Sequence, residues 1–259
     1  MFRRTNKKRG QGFSHVAPFR RFAEMRPNRQ NPGAMSNKQQ CQHGLWPSPI
    51  SAASVAAGRR LDGLVIDSDG ETIIWLEGRS GQGVLVVLEP GGHAPRDLTS
   101  DLSVRAEVGY GGGDFTSHDG VVYFVVHKTG RLFRQEIAGG AARPITPAFG
   151  AASSPCVSFD GRWVAYIHTD DDIDRVAVVD THGEHWPRIL ASGHDFYMQP
   201  RFSPDSRQLA FVAWDHPNMP WDGTTAYLLD LEFSGPGLPS TGEPRRLAGG
   251  DDVAIFQPE

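Results

Sequence analysis

Ten histidines, two cysteines and a few dense polar loops are the residues of this 259-residue chain that could do chemistry. WDHPNMPWDGT, residues 214–224, is the densest: two tryptophans, two prolines, and Asp215, His216, Asn218 and Asp222 within eleven positions. Asp215 and His216 could titrate together, or form a hydrogen-bonded surface pair. Trp214 and Trp221 could cap a sheet edge, or form a rigid aromatic wall toward a partner or substrate. VGYGGGD at 108–114 offers Tyr110, Gly111, Gly112 and Gly113. A phosphate loop needs a strand-to-helix context that is missing there, so close backbone approach is the expected use of the glycines. Asp170, Asp171, Asp172 and Asp174 could collect a cation, yet the glycine and terminal glutamate of an EF-hand are absent. His182 and His185 have no further ligands nearby. Cys41 and Cys156 form neither a CxxC pair nor a disulfide framework. No metal and no cofactor is expected.

The elements that must position these groups are short. Thirty glycines and nineteen prolines in a chain that is 39% hydrophobic favour many strands over long helices. No apolar stretch approaches the ~20 residues that cross a bilayer, so no membrane partner is expected. Charge is uneven. Residues 1–40 hold ten Lys or Arg and one acid, Glu24, leaving 16 basic and 29 acidic groups for the remainder. The tail, 1–44, reads as disordered for want of apolar residues. It lacks a secretory h-region. Such a tail could be a nucleic-acid arm, a membrane arm or a targeting peptide; an extension upstream of a start at Met35 is expected instead. No nucleic-acid partner follows, and the expected location is the cytoplasm.

From Leu45 onward the sequence repeats. PCVSFDGRWVAY (155–166) aligns without a gap on PRFSPDSRQLAF (200–211), and weaker copies occur as SDGETIIWLE (68–77) and SHDGVVYFVV (117–126). Their Asp69, Asp119, Asp160 and Asp205 recur every 41 to 50 residues. That period, built from short strands, is the signature of propeller blades. Each unit reads as four antiparallel strands. In the last, MQPRFS, LAFVAW, TAYLLDL and PRRLAG follow in order, with PDSR as a tight turn. The expected fold is all-β: a partial β-propeller over 45–259 with about four blades. FQPE at 256–259 matches MQPR at 198–201, as if a further blade were beginning. A bare inter-blade face of standard size forfeits about 12 kcal/mol, comparable with a whole domain's stability, so self-association through exposed blade faces is expected. A closed four-bladed ring is the competing arrangement.

The P-x-F-S-P-D-S-R-x-L-A-F pattern, WDHPNMPWDGT, WPSPIS (46–51) and VRAEVGYGGGDF (104–115) together resemble the propeller of the prolyl oligopeptidase family of serine peptidases, in its acylaminoacyl-peptidase and dipeptidyl-aminopeptidase branch. The resemblance implies a seven- or eight-bladed propeller, here incomplete, joined to a C-terminal α/β-hydrolase domain with a Ser, Asp, His triad. It implies a peptide substrate and that hydrolase domain as partners. The chain departs from the family pattern in having no GxSxG; the nearest string is GRSGQG at 78–83. No catalytic residue is therefore assigned. The propeller would instead gate substrate without catalysing. The alternative is a free-standing, TolB-like propeller that binds a protein partner. Either way, Tyr110, Gly111, Gly112, Gly113, Trp214, Asp215, His216, Asn218, Trp221 and Asp222 are expected on one rim, since two-to-three loops share a face with four-to-one connections.

Overall fold

A computed structural model describes residues 42, 50–56, 58–107, 113–235 and 237–258. The greater part of the basic tail, and Tyr110, Gly111 and Gly112, lie outside the described residues. All described strands fall within the compact unit Ile50–Glu259. A five-residue helix, α1 (Ala52–Ala56), precedes them.

Four antiparallel sheets follow in chain order. Blade 1 comprises β1 (Arg60–Ile66), β2 (Ile73–Arg79), β3 (Gln82–Leu88) and β4 (Arg96–Asp97); blade 2 comprises β5 (Phe115–His118), β6 (Val121–Val125), β7 (Leu132–Glu136) and β8 (Arg143–Pro144). Blade 3 contains β9 (Ala151–Val157), β10 (Trp163–Asp170), β11 (Ile173–Asp180) and β12 (Arg188–Ala191). Blade 4 contains β13 (Phe196–Phe202), β14 (Gln208–Trp214) and β15 (Thr224–Glu232), after which β16 (Ser240–Thr241) and β17 (Arg245–Gly250) both pair with β15. β17 occupies the place expected for strand four, and β16 is an addition.

The apolar runs explain the stacking. Side chains alternate across a strand, and β10 divides its run between two neighbours. Trp163, Ala165 and Ile167 enter the core shared with blade 4, while Val164 and Tyr166 enter the core shared with blade 2. On β11, Val176 and Val178 face one way, Ala177 and Val179 the other. A strand buried on both faces must be apolar throughout, which is why these segments show no polar alternation. A third core, around Ile74, Leu85, Val122 and Phe124, joins blades 1 and 2.

The ring is open. Leu61, Leu64 and Ile66 on β1 are more than half exposed, because no blade covers that face. Blade 4 does not return to it, so the closed four-bladed ring is not formed.

A left-handed residue recurs within or just before each first strand, and again after β17: Gly63, Gly113, Ser154, Gln199 and Gln257 have φ of 52°, 97°, 50°, 54° and 54°. Register shifts coincide with this residue on β1, β9 and β13, marking a bulge. Gln257 therefore shares its backbone state with Gln199, and both precede proline, as does Ser154. The likeness of FQPE to MQPR thus extends to conformation.

Candidate functional site

The WDHPNMPWDGT loop joins β14 to β15, and its first residues are held by the connection leading into β13. Phe196 pairs with Trp214 in the ladder, so the residues just before and just after this pair lie side by side. Asp215 uses that proximity fully: Oδ1 accepts the Asp195 N–H at 2.8 Å, and Oδ2 lies 2.8 Å from His194 Nδ1. Asp195 returns the contact by accepting the His216 N–H at 2.8 Å. The side-chain partner of Asp215 is therefore His194, and not its neighbour His216. Burial pushes the Asp215 carboxyl up, but the hydrogen bonds from His194 and the Asp195 N–H outweigh it and hold the group below the usual carboxylate range.

The two tryptophans part company. Trp214 is buried and stacks on Phe196 at 5.1 Å, with His216 edge-on to the same ring at 4.9 Å. Trp221 is 64% exposed. Trp214 thus anchors the loop, and Trp221 supplies its free aromatic surface. The His216–Pro217 bond is cis.

The rest of the loop is tied to the segment after β17. Asn218 Nδ2 donates to the Asp251 carbonyl at 3.0 Å, the Thr224 N–H to Val253 at 3.0 Å, and Thr224 Oγ1 to Ile255 at 2.8 Å. Asp222 closes a turn by accepting the Met219 N–H at 3.0 Å. Gly223 sits where any Cβ would strike the Asp251 carbonyl. A two-to-three loop and a four-to-one connection are in direct contact, as blade topology requires.

A cavity of about 410 Å³ opens between them, lined among others by His194, Asp215, Asn218, Tyr227, Arg246 and Asp251. His194 lies against Tyr227 at 5.1 Å and Tyr197 at 5.8 Å. Imidazole, carboxylate, guanidinium, amide and phenol groups around one hollow supply recognition chemistry. The hydroxyls on its wall belong to threonine and tyrosine, and that of Thr224 is engaged with Ile255. Among the described residues, none of these hydroxyls is hydrogen-bonded to a histidine or carboxylate side chain.

The Gly113 carbonyl accepts the Ser154 N–H at 2.8 Å. A Cβ there would come within 2.6 Å of Ser154 Cα, the close backbone approach expected of this segment. A cleft of about 480 Å³ beside it is lined by Leu64, Gly113, Ser154, Gln199 and Gln257, bringing four of the five left-handed positions together. The acidic loop is a two-residue hairpin turn, with Asp171 and Asp172 at φ 51° and 58°. Asp174 is buried and bonded to Thr169 Oγ1; burial pushes its carboxyl up despite that bond. No cluster of metal-ligating side chains occurs among the described residues.

Fold and repeat define an open β-propeller of four-stranded antiparallel sheets. No protein-family model matches the chain, and neither does any curated protein sequence. Solved structures do. A puromycin-hydrolyzing peptidase of Mycobacterium tuberculosis is 28% identical over 80% of this chain, with a TM-score of 0.66. A puromycin hydrolase is 29% identical over 82%, with a TM-score of 0.68. The matching parts are the N-terminal propellers of prolyl-oligopeptidase-family peptidases, and this chain spans 35% and 36% of those two proteins. TolB from Acinetobacter baumannii shares the fold at 17% identity, with a TM-score of 0.51 over 70% of this chain and 44% of its own.

Proposed function

We propose that this chain is the non-catalytic, substrate-gating propeller portion of a prolyl-oligopeptidase-like serine peptidase. The observation that carries this reading is the 28–29% identity to puromycin-hydrolysing enzymes over four fifths of the chain. In such a protein the propeller filters peptides by size at its rim, while acyl transfer belongs to a serine nucleophile and oxyanion hole in a hydrolase domain. The acylaminoacyl or dipeptidyl preference belongs to the same proposal. The free-standing, partner-binding propeller has only fold likeness in its favour.

Sequencing the transcript that encodes the chain tests the reading. Continuation past Glu259 into further blades and a GxSxG elbow is the expected result. A stop codon immediately after Glu259 in an expressed message would sink it.

A further inference from the structure

Tyr166 and His168 lie two residues apart on β10 and so share a face. They are 1% and 8% exposed, and their rings meet edge to face at 6.1 Å. The polar groups of both side chains are not enclosed by protein: neither the Tyr166 hydroxyl nor the His168 imidazole is among the fully buried unpartnered atoms, and both residues line an open hollow.

Both line one cavity of about 200 Å³ between blades 2 and 3. Its wall carries Phe149 and Trp186, stacked on each other at 5.5 Å and 16° while 44% and 69% exposed. Phe149 also stands edge-on to His168 at 5.4 Å. Burial holds the His168 imidazole below its usual range, so near neutral pH it can donate one hydrogen bond and accept another. Asp170 and Arg175 complete the lining with one charge of each sign. A hollow of roughly 150 Å³ suffices for a benzene ring, so this one holds a single ring with a substituent. Aromatic walls with a few convergent polar groups are the usual build of a small-ligand site.

We propose that this cavity binds the aromatic side chain of an amino acid or short peptide. The ring stacks against Phe149 and Trp186, a ring hydroxyl meets His168 and Tyr166, and the main-chain polar groups lie toward Asp170 and Arg175. The site shares no residue with the rim cavity of His194 and Asp215, so it stands independently of the peptidase reading.

Saturation-transfer NMR and calorimetric titration of the full chain with N-acetyl-L-tyrosinamide test the proposal, with N-acetyl-L-leucinamide as the aliphatic control. The expected result is saturation concentrated on the ring protons, no competition by the leucine compound, and at least tenfold weaker binding in both Phe149→Ala and Trp186→Ala. Both side chains are surface-exposed, so circular-dichroism melts of these variants should match the parent. His168→Phe should retain N-acetyl-L-phenylalaninamide and lose the preference for tyrosine. Free L-tyrosine binding more tightly than the amide would identify the amino acid as ligand, and the reverse order a peptide. Absence of saturation at millimolar probe, as for a cavity that holds only water, overturns the proposal. Binding undiminished in both alanine variants also overturns it, by assigning the signal to the open blade faces.

Discussion

Asp215 is a carboxylate poised between two opposing influences, burial and hydrogen bonding, and the second prevails. Its native value lies below that of the unfolded chain. It therefore stabilises the fold above the unfolded carboxylate range, and that stabilisation is lost as pH falls through the native value. Its side chain is 52% exposed, so solvent screening limits the effect to about 1 kcal/mol. Asp215→Asn should cost that much in urea unfolding at pH 7 and little at pH 3; an equal loss at both values would refute the assignment. Asp180 makes a stronger case, since its carboxylate accepts the N–H groups of His182, Glu184 and His185 at 2.8–3.0 Å. Burial opposes its ionised form too, and these bonds hold it low. Asp180→Ala, which orphans three donors, should destabilise by about 2 kcal/mol at pH 7, measured by thermal or urea unfolding, with the loss shrinking in acid. His182 and His185, which the sequence leaves without further metal ligands, give their amides to this carboxylate.

At the scale of elements, the repeated Asp residues were legible because their chemistry is local. Asp160 and Asp205 each accept a hydroxyl from the serine two residues before and an amide from two residues after. Asp69 accepts the amides of Glu71 and Thr72. Asp119 differs: it sits at φ 49° in the tight turn between β5 and β6. Contacts across the fold were not legible. The His194–Asp215 pair spans 21 residues and exists only through the register of β13 on β14. Spacing alone pointed to His216. Likewise, the PDSR motif contains Ser206 but gives no sign of its partner: its Oγ accepts the Asp160 N–H at 3.1 Å and clasps the turns of blades 3 and 4. Ser68 and Asp67 do the same for Asp119 and Gly120 between blades 1 and 2. Ser206→Ala should lower stability by about 1–2 kcal/mol, read by urea unfolding. Gly113→Ala should cost more, about 3 kcal/mol, since its φ of 97° and the Ser154 backbone both resist a side chain. A neutral effect there would mean that the blade 2 to blade 3 approach is looser than described.

For the whole molecule, the four-strand blades and their approximate period followed from the sequence, whereas the openness of the ring depends on how blades meet. Leu61, Leu64 and Ile66 leave an apolar strip on one end blade. Such strips invite association. In sedimentation velocity the full chain should show concentration-dependent oligomers, and a Leu61→Lys, Leu64→Lys variant should shift toward monomer. A parent chain that remains monomeric at tens of micromolar would count against an adhesive end face.

The recurring left-handed residue carries a further implication, for how such genes grow. Gly63, Gly113, Ser154, Gln199 and Gln257 place the same backbone switch in or beside the opening of each unit, 41 to 58 residues apart. Recombination joining any two of these switches would delete or duplicate a whole blade while preserving the strand order on either side. Blade number is then a property that duplication can change without redesigning any blade.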